Sequence, residues 1–134
     1  MIKRRMFQSL YDRLQEKRSF IQVVAGPRQA GKTTLVHQVL EACNQPSHYA
    51  SADEPGINGK IWLEQQWTIA RIRSTQQQNP VLLVLDEIQK IPDWSSLTKK
   101  LWDEDSRTGA QVKVVLLGSA PLLIQKGLTE SLAG

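Results

Sequence analysis

The stretch GPRQAGKT at residues 26–33 places two glycines, a lysine and a threonine at a spacing that suits a phosphate group. It fits the pattern G-x-x-x-x-G-K-[ST], which is typical of loops that hold nucleotide phosphates. Gly26 and Gly31 permit backbone angles and a close approach that a side chain would prevent, so peptide N–H groups can face phosphate oxygens. We expect Lys32 to reach the β- and γ-phosphates and the Thr33 hydroxyl to bind Mg²⁺.

A pair of acids follows a second apolar run, VLLVL at 81–85. Beside a phosphate-binding loop, an acid that ends an apolar strand is the expected partner of Mg²⁺, and Asp86 has that position. Glu87 would polarise the water that attacks the γ-phosphate. A solvated strand edge is the alternative interpretation of these two acids. Ser119 ends a later run, and its hydroxyl would bind the attacking water or the γ-phosphate, or cap the turn before Pro121.

The predicted ligands are therefore ATP and Mg²⁺, with Glu87 and Ser119 as catalytic residues and Thr33 and Asp86 at the metal. The predicted nucleotide contacts cover the whole loop: Gly26, Pro27, Arg28, Gln29, Ala30, Gly31, Lys32, Thr33 and Thr34. His37 and His48 are expected to be structural or exposed, because neither has a partner at metal-ligand spacing. We expect Arg71 and Arg73 to face solvent on their helix, and the side chain of Arg28 is also more typical of a solvated residue.

Strands and helices alternate around these residues. Branched apolar runs predict strands, apolar residues at three- and four-residue spacing predict helices, and Asp93 is placed to cap one helix. The predicted strands are 20–25, 47–51, 81–87 and 111–119, and the helices cover 32–43, 61–77 and the segment after Asp93. Four tryptophans lie at helical positions that suit packing. This alternation indicates an α/β fold, a parallel sheet with helices on both faces.

An N-terminal helix over residues 2–17 is predicted by an apolar residue at every fourth position. These residues are Ile2, Met6, Leu10 and Leu14. We expect the stripe to pack on a single domain, residues 1–134, whose nucleotide-binding core covers 20–134. The basic start lacks the apolar core of a signal peptide. No apolar run approaches the roughly 18 residues of a membrane helix, so no membrane contact is expected.

Composition agrees with one globular domain of 134 residues, 40% of them hydrophobic. The net charge of +4 is carried by basic residues interleaved with acids, which favours a solvated surface over a nucleic-acid partner. Cys43 is the single cysteine, which excludes an intrachain disulfide and a cysteine metal cluster. We therefore expect a cytoplasmic protein.

Three segments together resemble one family. GPRQAGKTT, LDEIQKIPDW and VVLLGSAPLLIQKGLTESLAG are similar to the AAA-type ATP-binding domain of the AAA_14 family, found in prokaryotic proteins that usually carry a further C-terminal domain. The resemblance implies ATP hydrolysis with Mg²⁺, with Lys32 and Thr33 as Walker A residues, Asp86 and Glu87 as Walker B residues and Ser119 in the sensor position. It also implies a P-loop sheet with the strand order 5-1-4-3-2.

Relatives continue beyond the SLAG segment with an arginine, a fifth strand and a lid, whereas this sequence ends at Gly134. The resemblance thus predicts about four strands, with the fifth strand and the lid missing. Strand 1 would then be an exposed edge through which copies of the chain self-associate.

The leading hypothesis is an AAA-type ATPase domain in which Glu87 activates water. A nucleotide-binding regulatory module with little turnover is the alternative, because lid or trans residues are missing. A small-molecule kinase is less favoured, since an enzyme that must exclude water gains nothing from an acid placed to activate it. No patch of aromatic and basic residues supports a nucleic-acid partner.

Overall fold

The computed structural model describes residues 2–18, 20–26, 31–53, 58–119 and 130–131. The helices are α1 (Ile2–Gln15), α2 (Lys32–Cys43), α3 (Gly59–Gln77) and α4 (Trp94–Thr108), with a 3₁₀ turn at Ile88–Lys90. The strands are β1 (Gln22–Gly26), β2 (Ser47–Ser51), β3 (Val81–Asp86), β4 (Val112–Ser119) and β5 (Glu130–Ser131). Among the described helices, none has the length and apolar character needed to cross a membrane.

The strands form one sheet in the order β2-β3-β4-β1-β5, and every neighbouring pair is parallel. This is the predicted order 5-1-4-3-2 listed from the opposite edge. Parallel strands need crossover connections, and the helices between them supply these. The carboxyl ends of β1, β3 and β4 consequently lie at one edge of the sheet, where the candidate functional residues follow them.

The expectation that the fifth strand is missing is wrong. Glu130–Ser131 forms a short parallel strand beside β1, with Gln22 opposite Glu130 and Val23 opposite Ser131. Because β5 pairs with Gln22 and Val23, the start of β1 is not an edge of the sheet. Self-association of the chain through β1 stays a prediction. A two-residue strand carries no periodicity, so sequence patterns could not reveal it.

Alternating side chains of the central strands supply two separate cores. On one face, Leu83 of β3 and Leu116 of β4 pack with Trp67 of α3 and Leu101 of α4. On the other face, the intervening strand residues pack with α1 and α2 through Leu10, Leu14, Val36, Val39 and Leu40. All six residues of β3 are buried, as expected for a strand covered on both faces. The predicted α/β architecture is confirmed.

Residues at the end of α1 and just after it connect the helix to β4. The predicted stripe packs through Leu10 and Leu14, although the helix ends at Gln15 rather than at residue 17. Lys113 of β4 donates from Nζ to the Leu14 carbonyl at 2.8 Å. The guanidinium of Arg18 donates to the Val112 carbonyl at 3.0 Å and lies 3.5 Å above the ring of Trp102. Polar contacts therefore supplement the apolar packing of α1.

Three minor predictions need correction. Arg71 and Arg73 were expected to face solvent, but Arg71 Nε donates to Asp105 Oδ1 at 2.6 Å and Arg73 donates to the Ser47 carbonyl at 2.7 Å. Both acceptors are far from these arginines in the sequence, 34 and 26 residues away, so local sequence patterns could not predict the hydrogen bonds. Asp93 does precede α4, yet its backbone is left-handed (φ 58°) and its side chain makes no capping hydrogen bond.

Candidate nucleotide site

The loop between β1 and α2 is bounded by two glycines in the positions that the motif requires. Gly26 ends β1 opposite Ser119 of β4. Gly31 precedes α2 with φ 77° and ψ 15°, a left-handed conformation that a residue with a Cβ adopts at a cost. The intervening residues 27–30 lie outside the described residues. The need for glycine at position 31 therefore follows from the backbone.

The first turn of α2 carries the lysine and the threonine of the motif. Lys32 is 9% exposed and lines a pocket at the carboxyl edge of the sheet. Thr33 Oγ1 donates to Asp86 Oδ2 at 2.9 Å, which joins the start of α2 to the end of β3 across 53 residues of sequence. The structure thus brings together the hydroxyl and the carboxylate that were predicted to bind Mg²⁺.

Asp86 is held by three donors although it is only 5% exposed. Besides Thr33, the Tyr49 hydroxyl donates to Oδ2 at 2.5 Å, and the backbone N–H of Glu87 donates to Oδ1 at 2.8 Å. Burial, followed by the hydrogen bond to Asp86, raises the pKa of Tyr49 well above its ordinary value, so the phenol stays protonated and donates. The buried carboxylate is therefore oriented as well as satisfied.

Glu87 stands at a strained point of the backbone. Its φ of 55° places it in the left-handed region, which costs about 1 kcal/mol for a residue with a side chain. Gln89 Nε2 lies 3.4 Å from Glu87 Oε2. Strain of this kind concentrates at functional sites, and here it accompanies the turn between β3 and the 3₁₀ helix, beside the pocket.

These side chains share one pocket of about 420 Å³. We call it the carboxyl-edge pocket, and its described lining consists of Lys32, Thr33, Tyr49, Ser51, Asp53, Asp86 and Glu87. Asp53 forms an ion pair with Lys90, a residue that does not line this pocket. Lys32 is the one cation among the described lining residues, and it stands against the acids Asp86 and Glu87.

Comparison with known proteins identifies the family. The sequence profile of AAA_14, described as an AAA domain, matches residues 18–134. The chain belongs to the AAA_14 family. It is accordingly an ATP-binding domain of the AAA type.

A solved structure supports the fold of this AAA_14 domain. It resembles the RuvB Holliday junction branch migration motor of Thermotoga maritima with a TM-score of 0.59 and 19% sequence identity. The match covers 99% of this chain and 44% of the RuvB chain, so the AAA_14 domain spans less than half the length of that structure. A search of curated proteins found no significant match. The fold is that of the AAA P-loop ATPases.

The AAA_14 domain brings some predicted site residues together and leaves others apart. Lys32, Thr33, Asp86 and Glu87 line the carboxyl-edge pocket. Thr34 is exposed and is absent from the lining. The backbone of Ser119 ends the strand beside β1, next to the start of the loop. The predicted contacts of Pro27, Arg28, Gln29 and Ala30 lie outside the described residues.

Sequence reasoning missed the contribution of β2 to the AAA_14 pocket. Tyr49 and Ser51 of β2 line it, as does Asp53 just after the strand, and Tyr49 contacts Asp86 directly. The short strand at 47–51 was predicted, but it was given no role. A usable signal existed, because a parallel strand beside β3 must bring its carboxyl end to Asp86, and Ser51 indeed lies opposite that residue.

Proposed function

We propose that this domain binds ATP together with Mg²⁺ in the carboxyl-edge pocket and hydrolyses it to ADP and phosphate. The observation that carries the proposal is the 2.9 Å hydrogen bond from Thr33 to Asp86, made beside the buried Lys32. A glycine loop, a lysine, a hydroxyl and a carboxylate at one edge of a parallel sheet are the parts that P-loop enzymes use for phosphoryl transfer.

The donors present suit Mg²⁺. This ion prefers oxygen ligands and is usually bound by few protein groups together with waters and substrate phosphates. Because Thr33 directs its proton to Asp86, the lone pairs of its oxygen remain available to a cation. Thr33 and Asp86 would hold the ion, which when bound would neutralise charge on the β- and γ-phosphates.

Charge in the pocket supports the same conclusion. With Asp53 paired to Lys90, the described lining leaves one ammonium, on Lys32, against the carboxylates of Asp86 and Glu87. A polyphosphate brought alone to these two acids would be repelled. A divalent cation reverses that balance, so we expect nucleotide affinity to depend on Mg²⁺.

Hydrolysis assigns a separate task to Glu87. A water oxygen attacks the γ-phosphorus, the bond from that phosphorus to the oxygen of ADP breaks, and the Glu87 carboxylate accepts the proton of the water. Lys32 would bind the phosphate oxygens as a point charge. The left-handed backbone of Glu87 directs the chain away from β3 directly after Asp86, so adjacent acids take different tasks.

Calorimetric titration of ATP with Mg²⁺ tests the binding step. Lys32→Ala removes a buried cation, and we expect affinity to fall roughly 30-fold, the equivalent of about 2 kcal/mol. Lys99→Ala is the matched control, because Lys99 is exposed on α4 and its ion-pair partner among the described residues is the exposed Asp103. Absence of binding by the folded wild-type chain, or equal affinity of Lys32→Ala and wild type, contradicts the proposal.

Phosphate release from the same samples tests the chemical step. Glu87→Gln should keep ATP affinity within about two-fold while release falls by at least 100-fold, since general bases contribute roughly 10²–10⁴ in rate. Binding without release by the wild type would instead support the alternative of a nucleotide-binding module with little turnover. Unchanged release in Glu87→Gln would remove this residue from the chemistry.

A further inference from the structure

Tyr49 of β2 donates a hydrogen bond to Asp86 in the carboxyl-edge pocket, although Tyr49 belongs to none of the sequence motifs. Its hydroxyl lies 2.5 Å from Asp86 Oδ2, the oxygen that also accepts the Thr33 hydroxyl at 2.9 Å. One carboxylate oxygen thus receives two O–H donors from different elements, β2 and α2. Tyr49 therefore acts on the same atom that orients Thr33.

The ring of Tyr49 is fixed by α2. His37 packs against it with ring centroids 4.6 Å apart and an interplanar angle of 47°. His37 lies four residues after Thr33, and residues at this spacing share one face of a helix. The same face of α2 therefore supplies the hydroxyl that meets Asp86 and the ring that holds Tyr49.

The geometry limits how Asp86 can rotate. Oδ1 accepts the Glu87 backbone N–H, while Oδ2 accepts both hydroxyl groups. Removal of the Tyr49 hydroxyl would leave Thr33 alone to fix Oδ2. The carboxylate could then turn away, and the Thr33 proton would no longer be held away from a cation.

We propose that Tyr49 is a positioning residue for Mg²⁺-dependent nucleotide binding, acting through Asp86. This inference rests on the proposed function. Hydrogen-bond partners in the outer shell of a metal site typically contribute 10- to 100-fold to metal affinity. Because Tyr49 acts on the cation's carboxylate and not on the phosphates, its contribution should vanish when the metal is absent.

The test measures ADP affinity by calorimetry in saturating Mg²⁺ and again in EDTA, with ADP chosen so that no turnover occurs. Tyr49→Phe keeps the ring against His37 and removes the hydroxyl. We expect about 10-fold weaker ADP binding in Mg²⁺ and unchanged binding in EDTA. Tyr11→Phe is the matched control, since Tyr11 is in α1 and stacks on Phe7 with ring centroids 6.2 Å apart. It should change neither affinity.

A second comparison tests the route through Asp86. In an Asp86→Asn background, Tyr49→Phe should produce no further loss of Mg²⁺-dependent affinity, because the two residues act as a unit. Equal losses in Mg²⁺ and in EDTA would assign Tyr49 a merely structural role and overturn the inference, as would unchanged affinity in both. Wild-type protein that binds no ADP in either buffer overturns the proposed function and this inference together.

Discussion

Asp105 of α4 is a buried acid whose removal should unfold the domain at markedly lower denaturant concentration. It is 1% exposed and accepts two hydrogen bonds from α3. Trp67 Nε1 donates to Oδ2 at 2.8 Å, and Arg71 Nε donates to Oδ1 at 2.6 Å. The carboxylate therefore joins the two helices that cover one face of the sheet.

The cost of Asp105→Ala follows from the groups left behind. The indole N–H of Trp67, a residue with no exposed surface, would lose its partner, at about 1–3 kcal/mol. Arg71 loses a charge-assisted hydrogen bond, but its side chain is 29% exposed and still donates to the Leu101 carbonyl. We therefore expect this loss to lower the unfolding free energy by only about 1 kcal/mol. We expect a total near 3 kcal/mol, which lowers Tm by roughly 10 °C in a domain of this size.

Urea denaturation followed by circular dichroism measures the effect. Asp105→Asn keeps an oxygen acceptor for Trp67 and should cost less than half as much. Asp103→Ala is the matched control on the same helix, since its pairing with Lys99 joins two side chains that are more than half exposed and is expected to contribute under about 0.5 kcal/mol. Similar unfolding free energies for Asp105→Ala and Asp103→Ala would refute this reasoning.

Two further predictions concern the folded state. Gly109→Ala should lower the unfolding free energy by about 1 kcal/mol, as measured by urea denaturation. Gly109 follows α4 with φ +82°, and open space surrounds the position that a Cβ would take. The cost is therefore that of the backbone conformation and not of a steric clash. Full stability in Gly109→Ala contradicts this. Burial raises the pKa of the Cys43 thiol, so a thiol-reactive disulfide at neutral pH should modify the native protein no faster than it unfolds. Complete modification within seconds would show that Cys43 is accessible.

The parts of the fold that could be predicted from sequence are those that local patterns encode. The apolar run of β3 indicated a strand buried on both faces, and it is buried along its whole length. The spacing of the glycines and Lys32 indicated a phosphate loop between a strand and a helix, where β1 and α2 now lie. Strand order was beyond these patterns and came from the family resemblance.

What local patterns missed are contacts made across long stretches of sequence. Arg71 occupies a helix position where a charge ordinarily meets solvent, and nothing near it reveals the buried Asp105 on another helix, 34 residues away. The sequence around Asp105 does not indicate that this residue is buried, because α4 carries several charged residues and only tertiary packing distinguishes Asp105 from the others. Burial of a charge is a tertiary property, which a single sequence does not display.

The strand order of the sheet brings together residues of the candidate site that are far apart in the sequence. Thr33 follows β1 in the chain, yet it reaches Asp86 of β3 because α2 starts at the edge where the parallel strands end. β2 lies directly beside β3, so Tyr49 reaches the same carboxylate from the other side. Had β2 and β1 exchanged places in the sheet, each local motif would persist, but Tyr49 could not contact Asp86. The contact between Tyr49 and Asp86 is therefore a consequence of topology, and the comparison of Tyr49→Phe with Tyr11→Phe tests the contribution to Mg²⁺-dependent binding that we propose for it.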